Sequence, residues 1–308
     1  MSNTILVTGA SGLLGANFVL TAKQRSSAVV ALSYHHSLTV AGSKAVQADL
    51  TDRRTSKEIV LSFRPSWIVH CAALTNVDWC EAHPGQTSQG NVEMTRNLAV
   101  VAREVDAGFV YISTDSVFDG QIGNYSEEST PAPLNVYARS KLEGEKVVQN
   151  ELDSGLIIRT NIYGWNALEK MSLAEWILHR LEAGQIVPGF RDVVFTPIVV
   201  NDLCEIVLDM MEMGLKGIYH VAGSQVCSKY EFALGLAEVF GLNTQLVQAV
   251  SVSGYPFIAP RPRNTSLLTS KVSRVVGRPM PDVRSGLRCF RTLRANGYLT
   301  ELEAMRGA

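Results

Sequence analysis

The sequence predicts an α/β fold built on a doubly wound parallel sheet. Short apolar runs, typical of buried strands, alternate with helix-like stretches from the N-terminus to about residue 160. The first run, residues 4–8, passes directly into a glycine-rich segment, and an apolar helix pattern follows it. Polar and small residues follow several of the predicted strands. In a parallel sheet these carboxyl ends share one edge, where ligands bind.

The composition is that of a soluble globular protein. The chain has 308 residues, 46% of them hydrophobic, and a net charge of −1, which gives no electrostatic basis for binding nucleic acid or an anionic membrane. Its five cysteines are scattered without a CxxC pair, which argues against a disulfide framework or a metal site. The start does not resemble a signal peptide, and no apolar run approaches the roughly 20 residues of a membrane span. We therefore expect a cytoplasmic protein.

The glycine-rich segment has the spacing of a dinucleotide-binding loop. Gly9 would permit a tight turn, Gly12 would let backbone N–H groups approach a pyrophosphate, and Gly15 would let the helix pack closely on the strand. A plain turn with small packing residues is the alternative. The position between a strand and a helix favours the Rossmann interpretation.

The second predicted strand, residues 28–32, bears on the choice of cofactor. It is followed by Ser33, Tyr34, His35 and His36. An NAD-selective site usually has Asp or Glu here, whose charge would repel a 2′-phosphate. Neither acid is present, and neither Arg nor Lys replaces it, so we predict NADP(H) with NAD(H) as an alternative.

Tyr137 and Lys141 form the predicted catalytic pair. Their spacing of four puts both on one face of a helix. The phenol has an ordinary pKa of about 10, and a neighbouring positive charge favours its ionised form. Such a pair occurs often by chance, but Thr114 at a strand end and the glycine loop favour a catalytic role. Glu143 and Glu145 are expected on a solvated helix face.

The chain after residue 160 has a less regular pattern. We predict a dinucleotide-binding domain over residues 1–160, with residues 193–221 returning to it. Residues 161–192 and 222–308 would form a smaller interleaved C-terminal substrate-binding domain. Within the first domain, Asp49 would contact adenine or cap the following helix.

Several segments together resemble the extended short-chain dehydrogenase/reductase superfamily: TGASGLLG, DLTD, HCAALTNVD, ISTD and Tyr137-x-x-x-Lys141. Others resemble its dTDP-4-dehydrorhamnose reductase branch: AALTNVDWCE, STDSVFDG, PLNVYARSKLEGE and RPRNTSLLTSK. Members of that branch reduce the C4 ketone of a deoxysugar nucleotide with NADPH or NADH. The resemblance implies a nucleotide-sugar substrate and is compatible with a homodimer.

The pattern and the resemblance together give a set of candidate site residues. The catalytic residues would be Thr114, Tyr137 and Lys141. The cofactor-binding residues would be Gly9, Ser11, Gly12, Leu13, Leu14, Gly15, Ser33, His35, Asp49, Leu50, Cys71, Ala72, Ala73, Asn91, Tyr137 and Lys141. The substrate-binding residues would be Thr75, Val77, Thr114, Asp115, Ser116, Asn161, Arg261 and Arg263.

Two departures from the branch leave alternatives open. Ser116 stands where the branch usually has tyrosine, and residues 159–164, RTNIYG, lack its usual tryptophan. One alternative is a sugar-nucleotide epimerase or dehydratase with bound NAD. The other is a non-catalytic NADP-binding regulatory subunit resembling the methionine adenosyltransferase beta subunit, which has a segment like residues 261–264.

Overall fold

The computed structural model describes residues 4–25 and 27–307. The strands in that part of the chain are β1 (Thr4–Thr8), β2 (Ala28–Ser33), β3 (Lys44–Gln47), β4 (Trp67–His70), β5 (Gly108–Thr114), β6 (Gly155–Thr160), β7 (Ile162–Tyr163), β8 (Val187–Phe190), β9 (Val194–Phe195), β10 (Ile198–Val199), β11 (Gly217–His220), β12 (Cys227–Ser228) and β13 (Val247–Val250). The α-helices are α1 (Leu13–Gln24), α2 (Arg53–Phe63), α3 (Val77–Ala82), α4 (Pro84–Ser88), α5 (Met94–Glu104), α6 (Val136–Glu151), α7 (Leu173–Glu182), α8 (Val200–Glu212), α9 (Lys229–Phe240), α10 (Ser270–Val276), α11 (Val283–Ala295) and α12 (Tyr298–Ala304).

Seven of these strands form a parallel central sheet in the order β3-β2-β1-β4-β5-β6-β11. The prediction of an α/β, doubly wound parallel sheet is confirmed. The order reverses between β1 and β4, and the crevice outside the carboxyl ends of the strands at such a reversal is where doubly wound sheets bind ligands.

Helices cover both faces of the sheet. Along β1, Ile5 and Val7 belong to one buried cluster and Leu6 to another, as the alternation of side chains in a strand requires. Helices α1 and α8 pack together on one side, while α2, α5 and α6 pack together on the other. No helix within residues 4–25 and 27–307 is long and apolar enough to cross a bilayer.

Two regions outside the regular alternation are built from short elements. A π-helical turn, Gln89–Glu93, lies between α4 and α5. The short strands β9 and β10 come just before α8, which begins at Val200. These short strands pair with β12 and β7, outside the central sheet, whereas β11 joins the central sheet beside β6. The division of the chain into two domains stays a prediction.

Candidate active site and cofactor cleft

The glycine loop between β1 and α1 brings three backbone segments close together. Gly9 has a φ of +63°, and a Cβ there would lie 2.7 Å from the Ala72 backbone. A Cβ on Gly15 would lie 2.2 Å from the Gly9 carbonyl oxygen. Larger residues would therefore push apart β1, α1 and the segment after β4. The N-terminus of α1, with the positive end of its dipole, faces this loop and suits a pyrophosphate.

A cavity of about 420 Å³ lies over the carboxyl ends of β1, β2 and β4. Ten of the predicted cofactor-binding residues line it: Gly9, Ser11, Gly12, Ser33, His35, Asp49, Leu50, Cys71, Ala72 and Ala73. A second cavity, of about 450 Å³, shares four of these and reaches the predicted catalytic residues. It is also lined by Leu13, Leu14, Gly15, Thr75, Thr114, Asp115, Ser116, Tyr137, Lys141 and Asn161. Together the two cavities form one long cleft.

Asp49, which lines the first cavity, forms hydrogen bonds with a neighbouring residue. Asp49 Oδ1 accepts from the Thr51 backbone N–H at 2.9 Å and from Thr51 Oγ1 at 2.7 Å. Asp52, not Asp49, caps α2, because its side chain accepts from the Thr55 N–H. The second role considered for Asp49 was therefore wrong.

Asn91 lies behind the wall of the cleft rather than on it. Its side chain donates to the Leu74 carbonyl and to Ser140 Oγ, and it accepts from the Leu74 N–H at 2.7 Å. It is buried in the π-helical turn. Asn91 thus joins the segment after β4 to α6 and acts on the cleft through these neighbours.

Tyr137 and Lys141 are presented by the first two turns of α6. Asn135 caps this helix by accepting from the Ala138 N–H, and Glu81 accepts from the backbone N–H of its first residue. Lys141 is only 3% exposed, and its Nζ lies 4.1 Å above the centroid of the Tyr111 ring. The pair therefore occupies a fixed position under the second cavity.

Burial governs the protonation of this pair. It raises the pKa of the Tyr137 phenol, and a hydrogen bond with Thr114 partly opposes that rise. Burial also lowers the pKa of Lys141 to about 7, while the charge of Glu145 opposes that fall. The expectation that Lys141 would lower the pKa of Tyr137 is thus wrong for this state of the protein, because desolvation disfavours both charged forms.

Glu145 is buried, contrary to the sequence prediction. It is 1% exposed, and its carboxylate accepts from Ser113 Oγ at 2.5 Å and from two nitrogens of Arg159 at 2.9 and 2.7 Å. Glu143 does face solvent and pairs with Lys146. The missed signal was Arg159 inside the apolar strand β6, because a buried arginine requires an acidic partner.

Asp115, which lines the second cavity, joins three segments of the chain by hydrogen bonds. One carboxylate oxygen accepts from Asn161 Nδ2 at 2.7 Å and from Thr265 Oγ1 at 2.5 Å. The other accepts from Thr114 Oγ1 at 3.2 Å and from Ser116 Oγ at 3.3 Å. The orientation of Thr114 therefore depends on a residue 150 positions away from Asp115.

A third cavity, of about 420 Å³, begins at Ser116 and Asn161 and extends away from the cleft. Its lining includes aromatic and apolar side chains that the sequence did not single out for a site: Trp176, Val187, Phe190, Phe195, Tyr255 and Phe257. Trp176 is 37% exposed and lines this cavity.

Two further predicted substrate residues, Arg261 and Arg263, have different surroundings. Arg261 lines the third cavity, forms an ion pair with Asp78 at 2.9 Å and lies 5.2 Å from the Phe257 ring centroid. Arg263 instead donates to Ser253 Oγ and is not among the residues lining the three cavities. Val77 begins α3 and is likewise absent from that lining.

The parallel sheet, the glycine loop after β1 and the Tyr137–Lys141 pair beside Thr114 define a protein of the extended short-chain dehydrogenase/reductase class. The family model described as "RmlD substrate binding domain" matches residues 3–294. The chain belongs to this family.

Similar proteins include reductases and a subunit of a methionine adenosyltransferase. The probable low-salt glycan biosynthesis reductase of Haloferax volcanii is 32% identical over 285 residues, spanning 91% of this chain and 95% of that protein. Methionine adenosyltransferase 2 subunit beta of Bos taurus is 32% identical over 298 residues, spanning 90% and 84%. The crystal structure of dTDP-4-dehydrorhamnose reductase from Bacillus anthracis in complex with NADP has a TM-score of 0.84 at 28% identity, covering 95% of this chain and 99% of that one.

Proposed function

We propose that the protein is an NAD(P)H-dependent reductase of a 4-keto-deoxysugar nucleotide, with Tyr137 as general acid. The observation that carries this proposal is the position of Thr114, Tyr137 and Lys141, where a long cleft lined by glycines adjoins a separate aromatic cavity. A cofactor in the cleft and a nucleotide sugar in the aromatic cavity would meet at these residues. The family's reductases support the same reaction class.

The cleft suits a nicotinamide dinucleotide. Gly9 and Gly15 leave room where any Cβ would clash with backbone, and the N-terminus of α1 favours the pyrophosphate. The absence of an acid at Ser33 and His35, and the NADP-bound structure of the relative from Bacillus anthracis, support NADP(H). When bound, the reduced nicotinamide would supply the hydride.

In the proposed mechanism, the Thr114 hydroxyl turns its hydrogen from Asp115 to the ketone oxygen, and the Tyr137 phenol donates to the same oxygen. Tyr137 then gives its proton to the developing alkoxide. Protonated Lys141 stabilises the resulting phenolate and would hold the nicotinamide ribose of the bound cofactor. A positioned general acid contributes about 10²- to 10⁴-fold to the rate.

An epimerase or dehydratase fits the site less well. Such an enzyme would need a further acid or base near Thr114. Ser116 does not supply one, and both carboxylate oxygens of Asp115 accept hydrogen bonds from neighbouring side chains.

A non-catalytic regulatory subunit is the second candidate function, favoured by the likeness to methionine adenosyltransferase 2 subunit beta. Against it, Thr114, Tyr137 and Lys141 are all present and together. Co-purification with a methionine adenosyltransferase, combined with no turnover of any keto sugar, would favour this candidate.

The deciding experiment supplies a panel of 4-keto sugar nucleotides and follows the absorbance of NADPH and NADH. The proposal expects turnover of at least one member of the panel by the wild type. The variant Tyr137→Phe should lose about 10²-fold or more of the rate, since it keeps the ring but lacks the acidic proton. Its affinity for NADPH, measured by fluorescence titration, should stay close to that of the wild type. Normal turnover by the variant would remove Tyr137 from the mechanism.

A further inference from the structure

Lys229 is a cation to which the proposed mechanism assigns no role. It is the first residue of α9 and follows the N-cap Ser228. Its side chain lines the third cavity, which also includes Ser116 and Asn161 next to the catalytic residues. The Nζ atom lies 3.2 Å from the centroid of the Phe195 ring.

This position is unfavourable for a lysine in the protein alone. The N-terminus of a helix carries a partial positive charge that disfavours a cation. Burial lowers the pKa of Lys229 to about 8, with the charge of Asp115 opposing the fall. Among residues 4–25 and 27–307, no carboxylate lies within ion-pair distance of Lys229 Nζ.

The two arginines expected to bind phosphate are engaged elsewhere. Arg261 is held by Asp78 and Phe257, and Arg263 donates to Ser253. The charge of Asp115 also acts on Lys229, but both oxygens of Asp115 already accept hydrogen bonds from other side chains. Of the cations considered for the third cavity, Lys229 is therefore the one whose charge is left for a ligand.

The shape and chemistry of the third cavity indicate what that ligand is. Flat aromatic surface is provided by Phe190, Tyr255, Phe257 and Trp176. Lys229 lines the same cavity as Ser116 and Asn161, which also line the second cavity beside the proposed catalytic residues. A nucleotide sugar matches both features, because its planar base suits the aromatic surface and its anionic diphosphate, which links the base-bearing nucleoside to the sugar, suits Lys229. We propose that Lys229 binds the diphosphate of the substrate and thereby selects nucleoside diphosphate sugars. This inference rests on the proposed function, because it places a nucleotide sugar in the same cavity.

Binding measurements test this proposal without turnover. The NADPH-saturated protein is titrated by calorimetry with dTDP, UDP, dTMP and thymidine. We expect the variant Lys229→Met to bind dTDP or UDP about 10- to 100-fold more weakly than the wild type, the effect of losing a charged hydrogen bond. Thymidine should bind both proteins alike, and Lys229→Arg should recover part of the loss. Lys216→Met, which removes an exposed lysine, is the matched control.

Folding does not confound this test. Lys229 is partly buried and forms no ion pair within the described residues, so the melting temperature of Lys229→Met should stay close to or above that of the wild type, and NADPH affinity should persist. The proposal is overturned if Lys229→Met binds both diphosphates normally, or if the wild type binds neither. Loss of thymidine binding in step with dTDP binding would also overturn it.

The outcomes separate this inference from the proposed reaction. Diphosphate binding that depends on Lys229, without reduction of any keto sugar, would refute only the reductase. Reduction that depends on Tyr137, with diphosphate binding independent of Lys229, would refute only the role of Lys229.

Discussion

Replacing Glu145 with glutamine tests the buried ion pair that Glu145 and Arg159 form near Lys141. The substitution keeps the shape of the side chain but removes the charge that faces Arg159, whose Nε and Nη2 both donate to Glu145. Arg159 is 2% exposed, and its Nη1 has no hydrogen-bond partner in the described chain. Breaking a buried pair in this way costs about 3–5 kcal/mol, because the remaining charge stays desolvated. We expect Glu145→Gln to lower the free energy of unfolding by about that amount.

The same helix provides the matched control. Glu143 pairs with Lys146 at 2.7 Å, and both side chains are about half exposed. Exposed pairs are worth about 0–1 kcal/mol, so Glu143→Gln should change the unfolding free energy by no more than that. Urea unfolding of both variants, with comparable m-values, measures the difference. If Glu145→Gln costs no more than Glu143→Gln, the reasoning about the buried pair is refuted.

Enzyme kinetics give the same substitution a second readout. Burial lowers the pKa of Lys141 to about 7, and the negative charge of Glu145 partly opposes this fall. Without that charge the pKa falls further, and Lys141 loses its proton at a lower pH. If protonated Lys141 assists Tyr137, the alkaline limb of the pH profile of kcat/KM should move to lower pH in Glu145→Gln but not in Glu143→Gln. Superimposable profiles would show that Glu145 does not act through Lys141.

Three further predictions concern the cleft and its surroundings. In the folded wild type the pKa of Lys141 is about 7, below its usual value of 10.5. Between these two pH values the unfolded chain binds more protons than the folded protein, so the stability of the wild type rises with pH. Lys141→Met should remove this contribution. Urea unfolding at pH 7 and pH 9 should therefore show a smaller gain in the variant than in the wild type, and an equal gain would argue against the lowered pKa. Gly15→Ala should lose about 1–3 kcal/mol of stability and weaken NADPH binding, because its Cβ would meet the Gly9 carbonyl; unchanged thermal unfolding and cofactor titration would contradict the close approach. Thr265→Val should destabilise the protein by about 1–3 kcal/mol, because Asp115 loses a buried donor; chemical unfolding checks this, and a neutral effect would mean that the bond contributes little.

The dinucleotide half of the molecule could be predicted from the sequence because its signals are local. The glycines lie within seven residues of one another, and the strand ends follow directly from apolar runs in the chain. Gly9, Asp49, Ala72 and Thr114 were expected at one edge of the sheet, and β1, β3, β4 and β5 end at or just before them. Few folds other than a doubly wound parallel sheet have short strands that alternate with helices, so this alternation alone was nearly sufficient to predict the fold class.

The missed features depend on partners that are distant in sequence. Glu145 has the pattern of a surface residue until β6 brings Arg159 against it. Trp176 and Lys229 belong to amphipathic helices whose cavity exists only after β8, β9 and the segment around Tyr255 are assembled. A polar residue on a helix can be buried by one such contact, and neither composition nor spacing encodes that contact.

The hydrogen bonds of Asp115 connect the proposed catalytic residue Thr114 with the third cavity. Asp115 accepts from Thr114 on one side and from Asn161 and Thr265, which line the third cavity, on the other. The Tyr137–Lys141 pair is carried by α6, whereas Asp115 and Asn161 line the second cavity beside it. Changes in the C-terminal segments can therefore reshape the third cavity without altering α6, whereas a change at Thr265 would also reach Thr114 through Asp115. Under the proposed function, we expect Ser116, in place of the tyrosine usual in the branch, to alter which sugar fits without removing the proposed proton donor Tyr137.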